Sequence, residues 1–398
     1  MNSNNTQNKT ETLRRRDFLA ATAALPLAAL LPEAARGQAA QTSNDAQIPG
    51  LILREKMPEN LEYPFASLNS FATPNDRFFI RSHFPVPTLD PQTWRLRVEG
   101  AVRNPLELTY DDLLKMPQRT VPATLECAGN SRVFLSPAPK GAQWQLGAVS
   151  HADWTGVPLA AILERAGVRP DAVEVVLEGS DSGEIKDPPK PSGAIRFARS
   201  LPLSRARRPE VVLAYRMNGA ELPASHGYPL RAIVPGWYGV ASVKWLSRLI
   251  VTERPYNGYF QTIDYAVWEE ANGLKTRVPI TEMQIKAEIA RPAMDEVVAA
   301  GSAYRVIGAA WTGDSEIVKV EFSADNGVTW ERAKLTGTPV RNAWRFWETA
   351  WRVPEKAGRY TLMARATDAR GQTQAMARQT DRENYLINHV LPIDVIAR

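Results

Sequence analysis

Thr124-Leu125-Glu126-Cys127-Ala128-Gly129-Asn130-Ser131-Arg132, the run TLECAGNSR, holds the single cysteine of a 398-residue chain. With no second cysteine the thiol makes no disulfide within the chain, so it is free, paired to another molecule, or a ligand. A lone cysteine is ordinarily a small buried apolar residue. The neighbours point elsewhere: Ala128 and Gly129 leave room for a bulky group beside the sulfur, and Arg132 favours thiolate over thiol. A thiolate is a soft ligand, suited to a heavy metal centre rather than to magnesium or calcium. A Cys–His nucleophile is the competitor and needs His83, His151, His226 or His389 within reach. One cysteine and four scattered histidines give no spacing for a protein-only zinc or iron–sulfur site.

Two further clusters are rich in anion-seeking groups. Phe79-Ile80-Arg81-Ser82-His83 sets Arg81 and His83 two residues apart, on one face of an extended chain. His226-Gly227-Tyr228-Pro229-Leu230-Arg231 runs on to Val234-Pro235-Gly236-Trp237-Tyr238-Gly239-Val240-Ala241-Ser242-Val243-Lys244-Trp245. Its glycines permit close backbone approach to a ligand, and Arg231 and Lys244 offer charge-assisted bonds to phosphate. Neither cluster is a Walker loop or a dinucleotide fingerprint.

Outward from these clusters the chain changes character at about residue 280. Before it, Thr109-x-x-Asp112 opens a capped helix that Pro117 stops, and Pro158 and Gly167 bracket a helix over Leu159 to Ala166. Strands are expected at Val173 to Leu177, Val211 to Tyr215, Leu230 to Val234 and Ser242 to Val251. Beyond 280, Val318, Val320 and Phe322 alternate with polar residues, Asn326-Gly327 supplies a left-handed turn pair, and Tyr360, Leu362, Ala364 and Ala366 repeat the alternation. Trp311, Trp330, Trp344, Trp347 and Trp351 supply bulk for the core of an all-β sandwich. The expectation is α+β over 40–279 and a β-sandwich over 280–398.

Residues 1–39 read as an export signal: Arg14-Arg15-Arg16-Asp17-Phe18-Leu19, an apolar run from Ala20 to Leu31, then small residues around Ala35 to Ala40. The run is too short to span a bilayer, so no stable membrane insertion is expected. The paired arginines resemble a twin-arginine signal, which implies folding around a cofactor before export to the periplasm. These residues hold +2 of the formal +5 charge, and the remaining +3 is too small and dispersed to argue for nucleic acid. Arg205-Ala206-Arg207-Arg208 reads as a solvated basic loop, with acceptor docking as the alternative.

Together, ECAGN-x-R, HGYPLRxxVPGxxGxxSVKWL and FFIRSHFPVPTLDPQTWRLRVEG, followed by an immunoglobulin-like domain, resemble the sulfite oxidase family of molybdopterin enzymes from about residue 60 to near the C-terminus. The resemblance implies a molybdenum atom held by a pterin dithiolene, with Cys127 as its protein ligand. It also implies cofactor contacts from Phe79, Ile80, Arg81, Ser82, His83, Asp181, His226, Arg231, Ser242, Val243 and Lys244. Arg81, Arg132, Trp144 and Tyr265 match the residues that would attract, orient and enclose sulfite. Ser131 stands where vertebrate members have arginine, and the last strand, Asn388 to Val395, lacks their pocket arginine.

A homodimer follows by analogy. No Cys-x-x-Cys-His is present for attached haem, and no cytochrome b5-like segment is recognised, so electrons are expected to leave to an external acceptor, a c-type cytochrome. The alternatives are an exported molybdopterin-dependent methionine sulfoxide reductase and, in a different class, a secreted metal-free β-sandwich binding protein.

Overall fold

The two helices read from the sequence are present in the first part of the chain. The computed structural model describes residues 50–379 and 382–398, and the export-signal reading of residues 1–39 lies outside them. Thr109 Oγ1 accepts from Asp112 N at 3.0 Å while Asp112 Oδ2 accepts from Thr109 N at 3.0 Å, a reciprocal cap on the short helix Tyr110–Leu114. Leu159–Ala166 is helical and buries Leu159, Ile162, Leu163 and Ala166, with Gly167 closing it at φ 67°. Among the described residues no helix is long and apolar enough to cross a membrane.

Two sheets carry the first region of the chain. In one, Arg119–Glu126 pairs antiparallel with Val149–Pro158, which pairs with Val212–Met217, which pairs in turn with Ala220–Glu221 and Arg231–Ile233. In the other, Leu246–Thr252 lies parallel to Leu96–Gly100 on one side and antiparallel to Glu174–Gly183 on the other. The strand expected at Ser242 begins only at Leu246. A 3-10 turn at Gly239–Ala241, the Ser242 Oγ acceptor for Val234 N at 3.1 Å and a left-handed Trp245 at φ 49° take up the residues before it.

The C-terminal sandwich packs Lys286–Arg291, Ala303–Trp311, Arg345–Arg352 and Lys334–Thr336 against a second sheet built on Ile393–Ala397, Gly358–Asp368 and Ile317–Ser323. Leu362, Ala364 and Ala366 point inward as expected, and Asn326 and Gly327 are left-handed at φ 59° and 83°. Val318 does not point inward. A register shift between Ile317 and Lys319 puts Ile317 inside, and Val318 is 44% exposed.

The tryptophans divide between two cores. Trp347 and Trp351 fill the sandwich, whereas Trp311 and Trp344 pack, with Ala290 and Ala309, into the core of the first region. Alternation is the cause: on Ala303–Trp311, Ala310 and Val306 face the sandwich, and Ala309 and Trp311 face away from it. Trp330 is half-buried, with the Arg365 guanidinium 4.1 Å from its ring. The basic run at 205–208 is solvated only in part: Arg207 is exposed, but its neighbours are engaged. Arg205 is buried and donates to both carboxylate oxygens of Asp314 at 2.6 and 2.8 Å, and Arg208 joins Asp314 at 2.7 Å.

Candidate active site

Cys127 follows the last residue of strand Arg119–Glu126, and a tight turn aims it. Cys127 N donates to Ala148 O at 2.9 Å, Asn130 N donates back to Cys127 O at 2.8 Å, and Ser131 closes the turn left-handed at φ 72°. Ala128 lines the adjoining cavity, but Gly129 makes room for something other than a ligand: a side chain there would run into the Arg132 guanidinium. Burial pushes the Cys127 thiol above its usual range, and Arg81 and Arg132, which act the other way, do not overcome it.

The cavity beside Cys127 has about 670 Å³ of empty volume. Its wall brings together Phe79, Arg81, Ser82, His83, Cys127, Asp181, His226, Arg231, Ser242, Lys244 and Tyr265 from segments up to 186 residues apart. Ile80 and Val243 are not on the wall. Ile80 is held by reciprocal backbone bonds to Leu61 at 2.8 and 2.9 Å, and both side chains are buried in the core.

Arg132 and Trp144 stand off the wall as well. Arg132 donates to Ala142 O at 3.0 Å and Asn384 O at 3.2 Å and lies over the Tyr385 ring at 5.3 Å, so its charge reaches the site only from behind. Trp144 is fully buried, and its Nε1 has no hydrogen-bond partner among the described residues.

One end of the cavity is made of Arg81, His83 and Tyr265. Tyr265 is left-handed at φ 49°, pinned by Ile280 N donating to its carbonyl at 2.8 Å and by its own N–H donating to Asp264 Oδ1 at 3.0 Å. That backbone puts the phenol 2.7 Å from His83 Nε2 and 3.5 Å from Arg81 Nη2. Burial, opposed by Arg81, pushes the phenol above its usual range, so it keeps its proton near neutrality. Burial, with Arg81 and Lys244, holds the imidazole of His83 well below 6.5, so the ring is neutral.

The other end is short of negative charge. Lys244 Nζ donates to Ser82 Oγ and Ser225 O, both at 2.9 Å, and burial with Arg231 beside it lowers its pKa well below the usual lysine range. Burial lowers Arg231 to about 9 and His226 to about 3, and lifts Asp181 to about 7 against the pull of Lys244. Among the described residues Arg231 Nε and Asp181 Oδ1 are buried without a hydrogen-bond partner. Two open polar atoms on the wall beside buried cations suit an anionic ligand that also carries a hydrogen-bond donor.

Residues beyond the expected set complete the wall. Phe78, Ala128, Gly239, Val240 and Trp245 lie inside the quoted motifs, so their place was open to inspection. Phe197 carries no local signal: it arrives on strand Ile195–Pro202 and stacks on His83 at 4.5 Å. Tyr385 is likewise silent in sequence, yet its ring backs Tyr265 at 4.8 Å and its hydroxyl donates to Asp264 Oδ1 at 2.5 Å.

Among the described residues no group of three or more His, Cys, Asp or Glu side chains could hold a metal ion by itself. The donor set is instead a single sulfur at one end of a cavity whose other end suits phosphate.

Comparison with known proteins finds two family domains along the chain. Residues 83–260 match the oxidoreductase molybdopterin binding domain, and residues 277–382 match the Mo-co oxidoreductase dimerisation domain. The chain is 37% identical over 342 residues to the mitochondrial sulfite oxidase of Mus musculus, which covers 80% of this chain and 60% of that protein. It is 33% identical to the sulfite oxidase of Arabidopsis thaliana, over 76% of this chain and 80% of that one. The chain thus spans about three fifths of the mammalian relative's length. The crystal structure of the sulfane dehydrogenase SoxCD from Paracoccus pantotrophus superposes with a TM-score of 0.74 at 28% identity, over 85% of this chain and 84% of that one.

Proposed function

The chain belongs to the sulfite oxidase family of molybdopterin enzymes, and from that premise we propose that it oxidises sulfite to sulfate and passes the electrons to an external acceptor. The observation that carries the reading is the single cavity wall shared by Cys127, Arg81 and Tyr265 at one end and by His226, Arg231 and Lys244 at the other. The residues fit the cofactor: Cys127 would ligate the molybdenum, and Arg231, Lys244, His226 and Ser242 would take the phosphate of the pterin. Arg231 Nε and Asp181 Oδ1, open in the protein, would bond its polar atoms. When bound, that molybdenum supplies the two-electron oxidation for which no side chain of the protein is equipped.

The protein's own part is electrostatic and geometric. Arg81 draws the sulfite anion to the sulfur end and holds it there by charge-assisted bonds. Tyr265 exchanges a hydrogen bond with His83, donating in one tautomer and accepting in the other. In the second its phenolic proton is free to meet an oxygen in the cavity. Cys127, a thiol when buried alone, must release its proton to act as ligand, and Arg81 and Arg132 favour the anion that remains. In the overall reaction sulfite gains one oxygen from water and releases two protons and two electrons.

The proposal extends to place and partners. The sequence of residues 14–40 supports twin-arginine export to the periplasm, where a c-type cytochrome would be the acceptor, and the match to the dimerisation domain supports a homodimer. That second domain also argues against a methionine sulfoxide reductase.

The likeness to SoxCD supports a second reading in which the substrate is a sulfane sulfur. The test is stopped-flow reduction of the loaded protein by sulfite and by a sulfane compound, side by side, with cytochrome c or ferricyanide as acceptor. Saturable reduction by sulfite bears the proposal out; reduction by the sulfane compound alone replaces it with the second reading.

A further inference from the structure

In the first strand of the sandwich, Lys286–Arg291, side chains alternate between two destinations. Ala287 and Ile289 face the sandwich core, while Lys286 and Glu288 turn toward the catalytic region and are 1% and 3% exposed. The three ammonium protons of Lys286 have three oxygens in reach: Glu126 Oε1 at 3.1 Å, Ser131 Oγ at 2.8 Å and Glu288 Oε1 at 2.8 Å. Ser131 Oγ donates onward to Glu288 Oε1 at 3.0 Å, and Trp311 Nε1, from the neighbouring strand, donates to Glu126 Oε2 at 2.8 Å.

Glu126 and Ser131 are the two ends of the turn that carries Cys127. One is the last residue of its strand, and the other is the left-handed residue that closes the turn. Between them Asn130 Nδ2 donates to Glu126 Oε1 at 3.2 Å, and Asn130 Oδ1 accepts from Ala148 N at 3.0 Å. Burying ions is expensive, and well-packed apolar residues often serve stability as well or better. A pair kept only to join two domains could land anywhere along their contact. This cation lands on the two residues that bracket the sulfur.

We propose that Lys286 and Glu288 are positioning residues for Cys127: the C-terminal domain clamps both ends of the cysteine turn and sets the direction from which the sulfur meets the cofactor. The consequence for the loaded enzyme rests on Cys127 being the ligand; the clamp itself is a property of the cofactor-free chain.

The full chain is therefore studied in both states, as Lys286→Met, Ser131→Ala and Glu288→Gln. In the cofactor-free protein, well below its unfolding temperature, the rate at which an aromatic disulfide reagent labels Cys127 reads how tightly the turn is held. In the loaded protein, the sulfur-to-molybdenum absorption band and the molybdenum retained per chain read the direction of the sulfur.

Labelling is expected to rise about 10-fold or more in Lys286→Met and about 3-fold in Ser131→Ala, each with a displaced band. Glu288→Gln, which keeps an oxygen toward Lys286 and Ser131, stays nearest the unaltered chain. A folded Lys286→Met that labels at the unaltered rate with an unmoved band overturns the clamp. If Lys286→Met does not fold, the same result in Ser131→Ala overturns it. Faster labelling in these variants, from a chain that retains no molybdenum even unaltered, upholds the clamp and removes the cofactor reading instead.

Discussion

Lys244 and Lys286 sit in two regions that treat a cation in opposite ways. Lys286, at the junction of the sandwich and the catalytic region, is enclosed by Glu126 and Glu288; burial would lower its pKa, but the two carboxylates outweigh burial and hold it above the usual lysine range. The excess there is negative. Burial pushes Glu288 up to about 7 in spite of Lys286, because one ammonium serves two carboxylates. Lys244, on the cavity wall, hydrogen-bonds a hydroxyl and a carbonyl; burial, with Arg231 beside it, lowers its pKa, and the carboxylate of Asp181 does not offset them. Charge satisfied from within the chain is structure. Charge left unsatisfied beside open polar atoms anticipates a ligand of opposite sign, and that contrast separates the two lysines where composition does not.

The sharpest break between the regions is Cys127→Ser, which removes the soft ligand: sulfite oxidation is expected to fall to background and molybdenum to be lost, as read by elemental analysis. Next come the lysines themselves. Lys286→Met strands two buried carboxylates and is expected to destabilise the cofactor-free chain by about 3–5 kcal/mol in urea unfolding. Lys244→Met relieves repulsion from Arg231 but removes the cation beside Asp181, so it is expected to change that stability far less than Lys286→Met, while weakening cofactor retention by roughly 10- to 100-fold. Equal destabilisation by both would erase the distinction.

Arg81→Gln tests the sulfur end. Its KM for sulfite is expected to rise by about 10-fold or more, with a smaller change in kcat, if the guanidinium chiefly binds the anion.

The two buried histidines carry the contrast into pH dependence. Burial lowers His151 and His226 from 6.5 to about 3. Between those values the unfolded chain binds more protons than the folded one, so stability is full above pH 6.5 and is lost as pH falls toward 3, by roughly a few kcal/mol per histidine. His151 lies against Phe71 and Trp344, away from the cavity, and His151→Gln should flatten the acid slope with or without cofactor. His226→Gln should flatten it only in the cofactor-free protein, since a bound phosphate would itself raise the pKa of His226. Urea midpoints at pH 7.5 and 5.0 decide this. The smallest effect is expected from Tyr385→Phe, which loses the bond to Asp264: about 1 kcal/mol of stability and a modest change in sulfite KM.

Much of the site was legible because its residues come in short runs. Phe79 to His83 sets one arginine beside a histidine, His226 to Lys244 gathers a histidine, two cations and several glycines, and Cys127 is conspicuous by being alone. What alternation decides was harder to see. Ile80 and Val243 sit inside those runs yet point into the core. The place of Arg132 has a different cause: the missing side chain of Gly129 admits the guanidinium, and carbonyls of Ala142 and Asn384 hold it behind the wall.

The sequence by itself determined the chemical inventory and the local geometry: one soft sulfur, clustered cations and glycines, helix caps and the two-residue period of the sandwich strands. These depend on neighbours within a few residues, where side-chain type and backbone preference act directly. Only the tertiary structure decided which cations are paid in full, for Glu126 meets Lys286 across 160 residues, whereas among the described residues Lys244 hydrogen-bonds a hydroxyl and a carbonyl and feels Asp181 without an ion pair to it. Burial and charge compensation are set by long-range strand pairing and packing. For that reason Tyr385 behind Tyr265, and Lys286 and Glu288 around the cysteine turn, come into view only in the folded chain.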